Sequence, residues 1–188
     1  MRAGIKDARE NSALNMRIKK GMNSEKLSNR EFGPGDDTTF RESEANFITL
    51  ANKVLDLKIY KVVDHPSDLK DIFQDEDGPL GVIPEASIEN LQTGRKFFVE
   101  VKKQGPNGNA EERACKHHTT QFYKLMKEIY NYNFHPFVTV CCENLATDRR
   151  YTLKAKYLFE PDNYFLWRDY DENLLKTYLR ARCDEWLD

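Results

Sequence analysis

The sequence predicts helices packed around a central sheet, an α/β or α+β domain. Three patterns predict it. KFFVEVKK (Lys96–Lys103) alternates apolar and polar residues like a strand, PFVTVCC (Pro136–Cys142) is a short apolar run like a buried strand, and Phe122, Leu125, Met126 and Ile129 recur at helical spacing. At 188 residues the chain fits one domain. That length buries roughly 70% of the unfolded surface, enough for one core.

The first 40 residues are polar, with little periodicity and a turn-forming FGPGDD at Phe32–Asp37. They read as a basic arm or loosely docked segment (1–40) ahead of a domain over residues 41–188. From Glu42 to Leu57, Phe47, Ile48, Ala51, Val54 and Leu55 fall at helical spacing. HPSDLKDIF predicts a short helix starting near Ser67, and DEDG (Asp75–Gly78) a turn. GVIPEASIEN (Gly81–Asn90) is strand-like and pairs with KFFVEVKK as an antiparallel hairpin around Leu91–Arg95. On the second strand Phe97, Val99 and Val101 share one face, and Phe98, Glu100 and Lys102 share the other. After the loop QGPNG, a helix is expected from near Asn109 to about Tyr130, its apolar stripe serving as core or dimer interface. NLATDRR (Asn144–Arg150) reads as a turn and YTLKAKYLF (Tyr151–Phe159) as an alternating strand. The final helix starts near Asp171, with Leu174, Leu175, Tyr178, Leu179 and Trp186 on one face.

The net charge of −2 carries no global signal for nucleic acid, but its distribution does. Residues 1–31 hold eight Lys/Arg against four Asp/Glu, and residues 95–127 hold eight against three. Two basic segments in a slightly acidic protein suggest one basic face, although solvated helix surface gives the same count. The cysteines Cys115, Cys141, Cys142 and Cys183 make no C-x-x-C pair, which suits neither a zinc site nor a secreted disulfide frame. A reducing cytoplasm is the expected location. No signal peptide is expected from the sequence, and no apolar run is long enough to span a bilayer.

The hairpin brings Glu85 and Glu100 towards the same end of the sheet. Two carboxylates a few Å apart repel each other unless a cation lies between them. Hard oxygen donors favour Mg²⁺, which keeps waters and takes a phosphate oxygen as a further ligand. Such an ion polarises a phosphoryl group and activates water. An ammonium beside it, here Lys102, balances developing negative charge. An E-x-K triplet taken alone also fits an exposed polar strand.

PEASIEN followed by FFVEVKKQ resembles the core of PD-(D/E)xK nucleases. GNAEERACK (Gly108–Lys116) is similar to the GNAxER element of type II restriction endonucleases of the EcoRI and MunI type, and HPFVTV and DNYFLWR extend the likeness. It runs from about Pro79 to the C-terminus. The resemblance implies an α/β fold with a central mixed sheet flanked by helices. It implies a homodimeric, Mg²⁺-dependent enzyme that cuts double-stranded DNA at a short palindrome with an AATT core, alongside a separate cognate methyltransferase. Glu85, Glu100 and the main chain of Val101 would hold the metal, with Lys102 assisting the attacking water.

Adenine offers an N6 donor and an N7 acceptor in the major groove. Asn109 can match both, Glu112 can accept from N6, Arg113 can donate to N7, and Ala110 can touch a thymine methyl. Asn109 also suits a helix N-cap with Glu111 and Glu112 in the first turn, and both roles are compatible. Lys103, Lys116 and His117 are candidate DNA-backbone contacts. Two departures from the family pattern matter. Glu85 stands where the family usually has Asp, which raises the alternative of a relative that binds DNA but cuts poorly. Asn107 stands where the MunI type has an arginine for a flanking guanine. The flank is therefore absent from the target or read by Arg149, Arg150 or the arm.

Overall fold

A computed structural model describes residues 36–75, 78–79, 81–104 and 110–188. The basic arm, the start of the FGPGDD turn and Asn109 lie outside these residues. The chain divides into two compact units, Met1–Thr39 and Phe40–Asp188, and the sheet and the candidate site belong to the second.

Five strands form one mixed sheet in the order β1 (Tyr60–Asp64), β4 (Ala86–Asn90), β5 (Lys96–Gln104), β6 (Phe137–Glu143) and β7 (Tyr164–Trp167). The first three pair antiparallel and the last three parallel. Two-residue strands β2 (Gln74–Asp75) and β3 (Gly78–Pro79) form a separate ladder. The expected hairpin is present, with Glu89 opposite Lys96 and Ala86 opposite Val99. Its turn is built by Asn90, whose side chain accepts from the amides of Gln92 and Thr93, and by Gly94 at φ +68°.

The alternation in β5 divides two cores. Phe97, Val99 and Val101 face Phe47, Ala51 and Val54 of α1 (Asp36–Val54) and Leu175, Leu179, Cys183 and Trp186 of the C-terminal helix. Phe98 faces Leu69, Phe122, Met126 and Phe137 on the other side. The sheet is therefore sandwiched between helices, as expected of an α/β domain.

Several local readings change. Asn109–Tyr130 is not one helix. α2 (Ala110–Ala114) and α3 (Thr120–Tyr130) are separated, because Thr119 takes an extended backbone and caps α3 by accepting from the Phe122 amide. Within the apolar stripe, Phe122 and Met126 are buried while Ile129 is 49% exposed. Asn144–Arg150 contains α4 (Asn144–Thr147) rather than only a turn. YTLKAKYLF is not a strand but most of α5 (Arg149–Leu158), capped by Asp148. β6 and β7 are parallel, and a parallel connection needs a crossover, which α4 and α5 supply. Tyr151, Ala155 and Phe159, four apart, form its inward side.

Ser67–Phe73 folds as successive turns, not as a helix. The final helix α6 (Glu172–Trp186) follows the expectation, with Asp171 accepting from the amides of Asn173 and Leu174. Leu174 itself faces outward. All four cysteines are free thiols, and Cys141, Cys142 and Cys183 are buried. Among the described residues no helix is long and apolar enough to cross a membrane.

Candidate active site

Glu85 is the residue before β4. Its carbonyl accepts the His65 amide at 3.0 Å, which extends the β1 edge by one step. The chain reaches it through Gly81, packed so closely on the Lys70 carbonyl that a Cβ would overlap it, and Val82, whose amide bonds Leu69 O at 2.9 Å. Because Ala86 and Ile88 face the α1–α6 core, Glu85 and Ser87 face the side of Phe98, Glu100 and Lys102.

Three side chains meet there. Lys102 Nζ lies 2.5 Å from Glu85 Oε1 and 2.7 Å from Glu100 Oε1. The Val101 amide donates to Glu85 Oε2 at 3.3 Å, fixing that carboxylate against the main chain of β5. Glu100 is nearly inaccessible, with only 2% of its surface exposed. Two additions come from the link between α2 and α3. Lys116 Nζ is 3.0 Å from Glu100 Oε1, and His117 Nε2 is 4.0 Å from the same oxygen.

The electrostatics follow from burial and crowding. Burial raises the Glu85 carboxyl, and its hydrogen bond and repulsion with Glu100 add to the rise against the pull of Lys102. Burial alone would raise Glu100 too, but the hydrogen bond with Glu85 and the charges of Lys102 and Lys116 hold it below the usual carboxylate range. The two acids thus retain one proton between them near neutrality. Burial works against a charged Lys102, yet both glutamates raise its pKa and keep it an ammonium. A buried acid pair that keeps a proton is a place where a cation can take that proton's position. Among the described residues no three His, Cys, Asp or Glu side chains converge at metal-ligand spacing. Two glutamate carboxylates are a hard-oxygen pair that Mg²⁺, which keeps several waters, can accept, whereas zinc sites take three or four protein ligands.

The remaining sequence-derived candidates divide. Glu112 and Arg113 project into solvent from α2. Ala110 does not: it is buried against Cys141 and Leu145, with almost no methyl surface exposed for a base. This corrects the thymine contact expected of it. Lys103 is also corrected. Alternation puts it on the opposite face from Lys102, where it is buried and bonds Glu143 Oε1 at 3.3 Å rather than lying open on the surface. His117 is buried between Phe122 and Phe137 rather than facing a phosphate. Lys116 is half exposed but bound to Glu100.

Sequence reasoning missed two contributors and read a third, Lys116, only as a DNA-backbone contact. Gln104 Oε1 accepts the Ala110 amide at 2.8 Å and anchors α2 to the end of β5. Lys154 of α5 pairs with Glu111 at 2.7 Å and braces α2 from the other side. Lys116 joins the acid cluster. The i, i+4 spacing of Tyr151 and Ala155 could have revealed α5 and with it Lys154. Nothing in the sequence signalled the contacts of Gln104 and Lys116. A cleft of about 360 Å³ lies beside Lys116 and His117, walled by Phe73, Val82, Phe122 and Leu125. Its lining is mostly apolar, unlike a phosphate site.

The family model described as type II restriction enzyme MunI matches residues 22–188, well upstream of Pro79 where the sequence motifs begin. A Mycoplasma protein described as type II restriction enzyme MunI is 27% identical, the match covering 78% of this chain and 89% of that relative. Among solved structures, the crystal structure of MunI restriction endonuclease in complex with cognate DNA matches with a TM-score of 0.59 and 22% identity. That match covers 77% of this chain and 96% of the other, and it supports the fold.

Proposed function

The chain belongs to the family of the type II restriction enzyme MunI, and from that premise we propose that it cuts a short palindrome with an AATT core as a Mg²⁺-dependent homodimer. It is a type II site-specific deoxyribonuclease, a sequence-specific endonuclease acting on DNA. The observation that carries the finer reading is the convergence of Lys102 Nζ on Glu85 and Glu100 at 2.5 and 2.7 Å.

Glu85 and Glu100, with the main chain at Val101, would hold Mg²⁺. When bound, that ion supplies Lewis acidity towards a phosphate oxygen and a more acidic water. Glu85, which keeps a proton in the metal-free protein, would have to release it to solvent to serve as a ligand. Lys102 is held at the cluster as a permanent ammonium. Its Nζ–H groups orient the attacking water and stabilise the charge that builds on the phosphate oxygens. Burial of Glu100 keeps bulk water from competing for these contacts.

Glu112 and Arg113, braced on α2 by Gln104 and Lys154, are the described residues suited to reading adenine N6 and N7. Asn109 completes that set in this proposal. Two copies related by a two-fold axis would match a palindrome. A separate methyltransferase would protect host sites, both acting in the cytoplasm. A relative that binds without cutting is the less favoured reading. Despite its extra methylene, the Glu85 carboxylate reaches both Lys102 and the Val101 amide.

The test is digestion of plasmid by purified protein with Mg²⁺ and with EDTA, followed by sequencing of the ends. Metal-dependent cuts at sites containing AATT are expected. Ends that lack AATT would reject the proposed readout, and intact plasmid with Mg²⁺ and Mn²⁺ would reject the nuclease.

A further inference from the structure

The link between α2 and α3 connects the readout segment to the buried acid. Lys116 lies three residues after Arg113, and its side chain is 51% exposed, yet its Nζ bonds a glutamate whose side chain is 3% exposed. Among the described residues the ion pairs of Glu100 fall on one oxygen, Oε1, which Lys102 reaches from within β5 and Lys116 from outside the catalytic hairpin. His117, next in sequence, is buried, its Nε2 without a hydrogen-bond partner among the described residues and 4.0 Å from that oxygen. The last torsion of a glutamate is broad and intrinsically loose. Short charge-assisted hydrogen bonds from two directions set it.

We propose that Lys116 is a positioning residue for Glu100. Through it the placement of the segment carrying Glu112 and Arg113 sets the orientation of the acid that cleavage requires. Correct seating of that segment then governs the rate of cutting beyond its effect on affinity. This rests on the nuclease reading above and goes beyond it, since a lysine following a readout motif would otherwise be taken for a phosphate contact.

Two substitutions test it. Lys116→Met keeps the stem and removes the charge, and Lys116→Arg restores the charge. On a duplex that the wild-type protein cuts, K116M should lower the single-turnover rate by about 10²-fold, the scale of a misplaced catalytic group. Affinity in Ca²⁺ should stay within about threefold and its salt dependence should not change, while K116R should recover about a tenth or more of the rate. Without DNA, K116M should bind Mn²⁺ at least about threefold more tightly, because no ammonium then opposes a cation at Glu100. Weaker, less salt-dependent binding with an unchanged rate at saturating DNA would mark a phosphate lysine and overturn the proposal. Unchanged Mn²⁺ affinity would overturn it as well. If the wild-type protein cuts no DNA, the nuclease reading fails, and the Mn²⁺ measurement alone still decides whether Lys116 acts on Glu100.

Discussion

Gln104, the last residue of β5, accepts the first amide hydrogen of α2 at Ala110 with an oxygen 2.8 Å away, so the strand that carries Glu100 and Lys102 also seats the helix that carries Glu112 and Arg113. Both ends of this bond are buried. A five-residue helix has little stability of its own and depends on such anchors. Gln104→Leu would leave the Ala110 amide without its acceptor, at a cost of about 1–3 kcal/mol. Urea unfolding should show that loss. The ratio of cognate to non-cognate binding should fall with it, and a variant that loses stability while keeping full discrimination would contradict the anchoring role.

The acid pair makes a pH prediction. In the folded protein Glu85 is pushed up to about 8, so between its ordinary value and that point the folded chain holds a proton that the unfolded chain has lost. Stability of the metal-free protein should therefore fall as pH rises from about 6.5 to 8, with the largest part of the fall absent in Glu85→Gln. A cation must displace the same proton. Mg²⁺ or Mn²⁺ affinity should therefore climb with pH over this range, approaching tenfold per unit well below the raised pKa. Calorimetric titration at several pH values checks this, and a flat profile in the wild-type protein would show that no proton is exchanged.

How much was legible in the sequence depended on whether the signal was local. The alternation of Phe97, Val99 and Val101 against Phe98, Glu100 and Lys102 was readable because a strand has a period of two and its hairpin partner is adjacent. The pairing of Glu85 with Glu100 followed from that register. YTLKAKYLF misled because Leu153, Ala155 and Tyr157 mimic a strand face. The true inward side, Tyr151, Ala155 and Phe159, is set by the parallel β6–β7 crossover, a long-range fact. The fate of Lys103 was also long-range. Its sequence neighbour Lys102 is catalytic in the proposal, yet one step along a strand reverses the face and gives it Glu143 as a partner.

Lys103 yields a contrast with any DNA-contacting lysine. Its ammonium is buried and bonded to Glu143, which is 41% exposed at its side chain. Lys103→Met should cost about 1 kcal/mol, at the low end for a charge-assisted bond because Glu143 can return to water. The slope of DNA affinity against salt should not move, since no phosphate contact is lost. A slope reduced by about one would instead restore the backbone role read from the sequence.

Three histidines behind the site make acid unfolding steep. His135 donates Nε2–H to the His117 carbonyl at 2.8 Å. Thr139 donates its hydroxyl to Ala114 O, so its oxygen accepts from His118 Nε2 at 2.9 Å, and each of the two rings carries a hydrogen on Nε2 while burial disfavours a second one on Nδ1. Burial lowers His117 to about 4, His118 to about 3 and His135 to about 4, with Glu100 opposing the shift at His117 and His118. Below the ordinary histidine value the unfolded chain takes up protons that the folded chain refuses. Their contribution is therefore fully present above about pH 6.5 and is lost as pH falls towards 4, by up to about 1.4 kcal/mol per pH unit for each imidazole. Here three groups outweigh the opposite trend of Glu85, so net stability should peak near neutrality. His135→Gln can still donate to the His117 carbonyl but cannot titrate. Its stability should fall less steeply between pH 6 and 4.5, by about one proton of uptake. An H135Q slope equal to that of the wild-type protein would mean that His135 is already charged, or already hydrated, in the folded state.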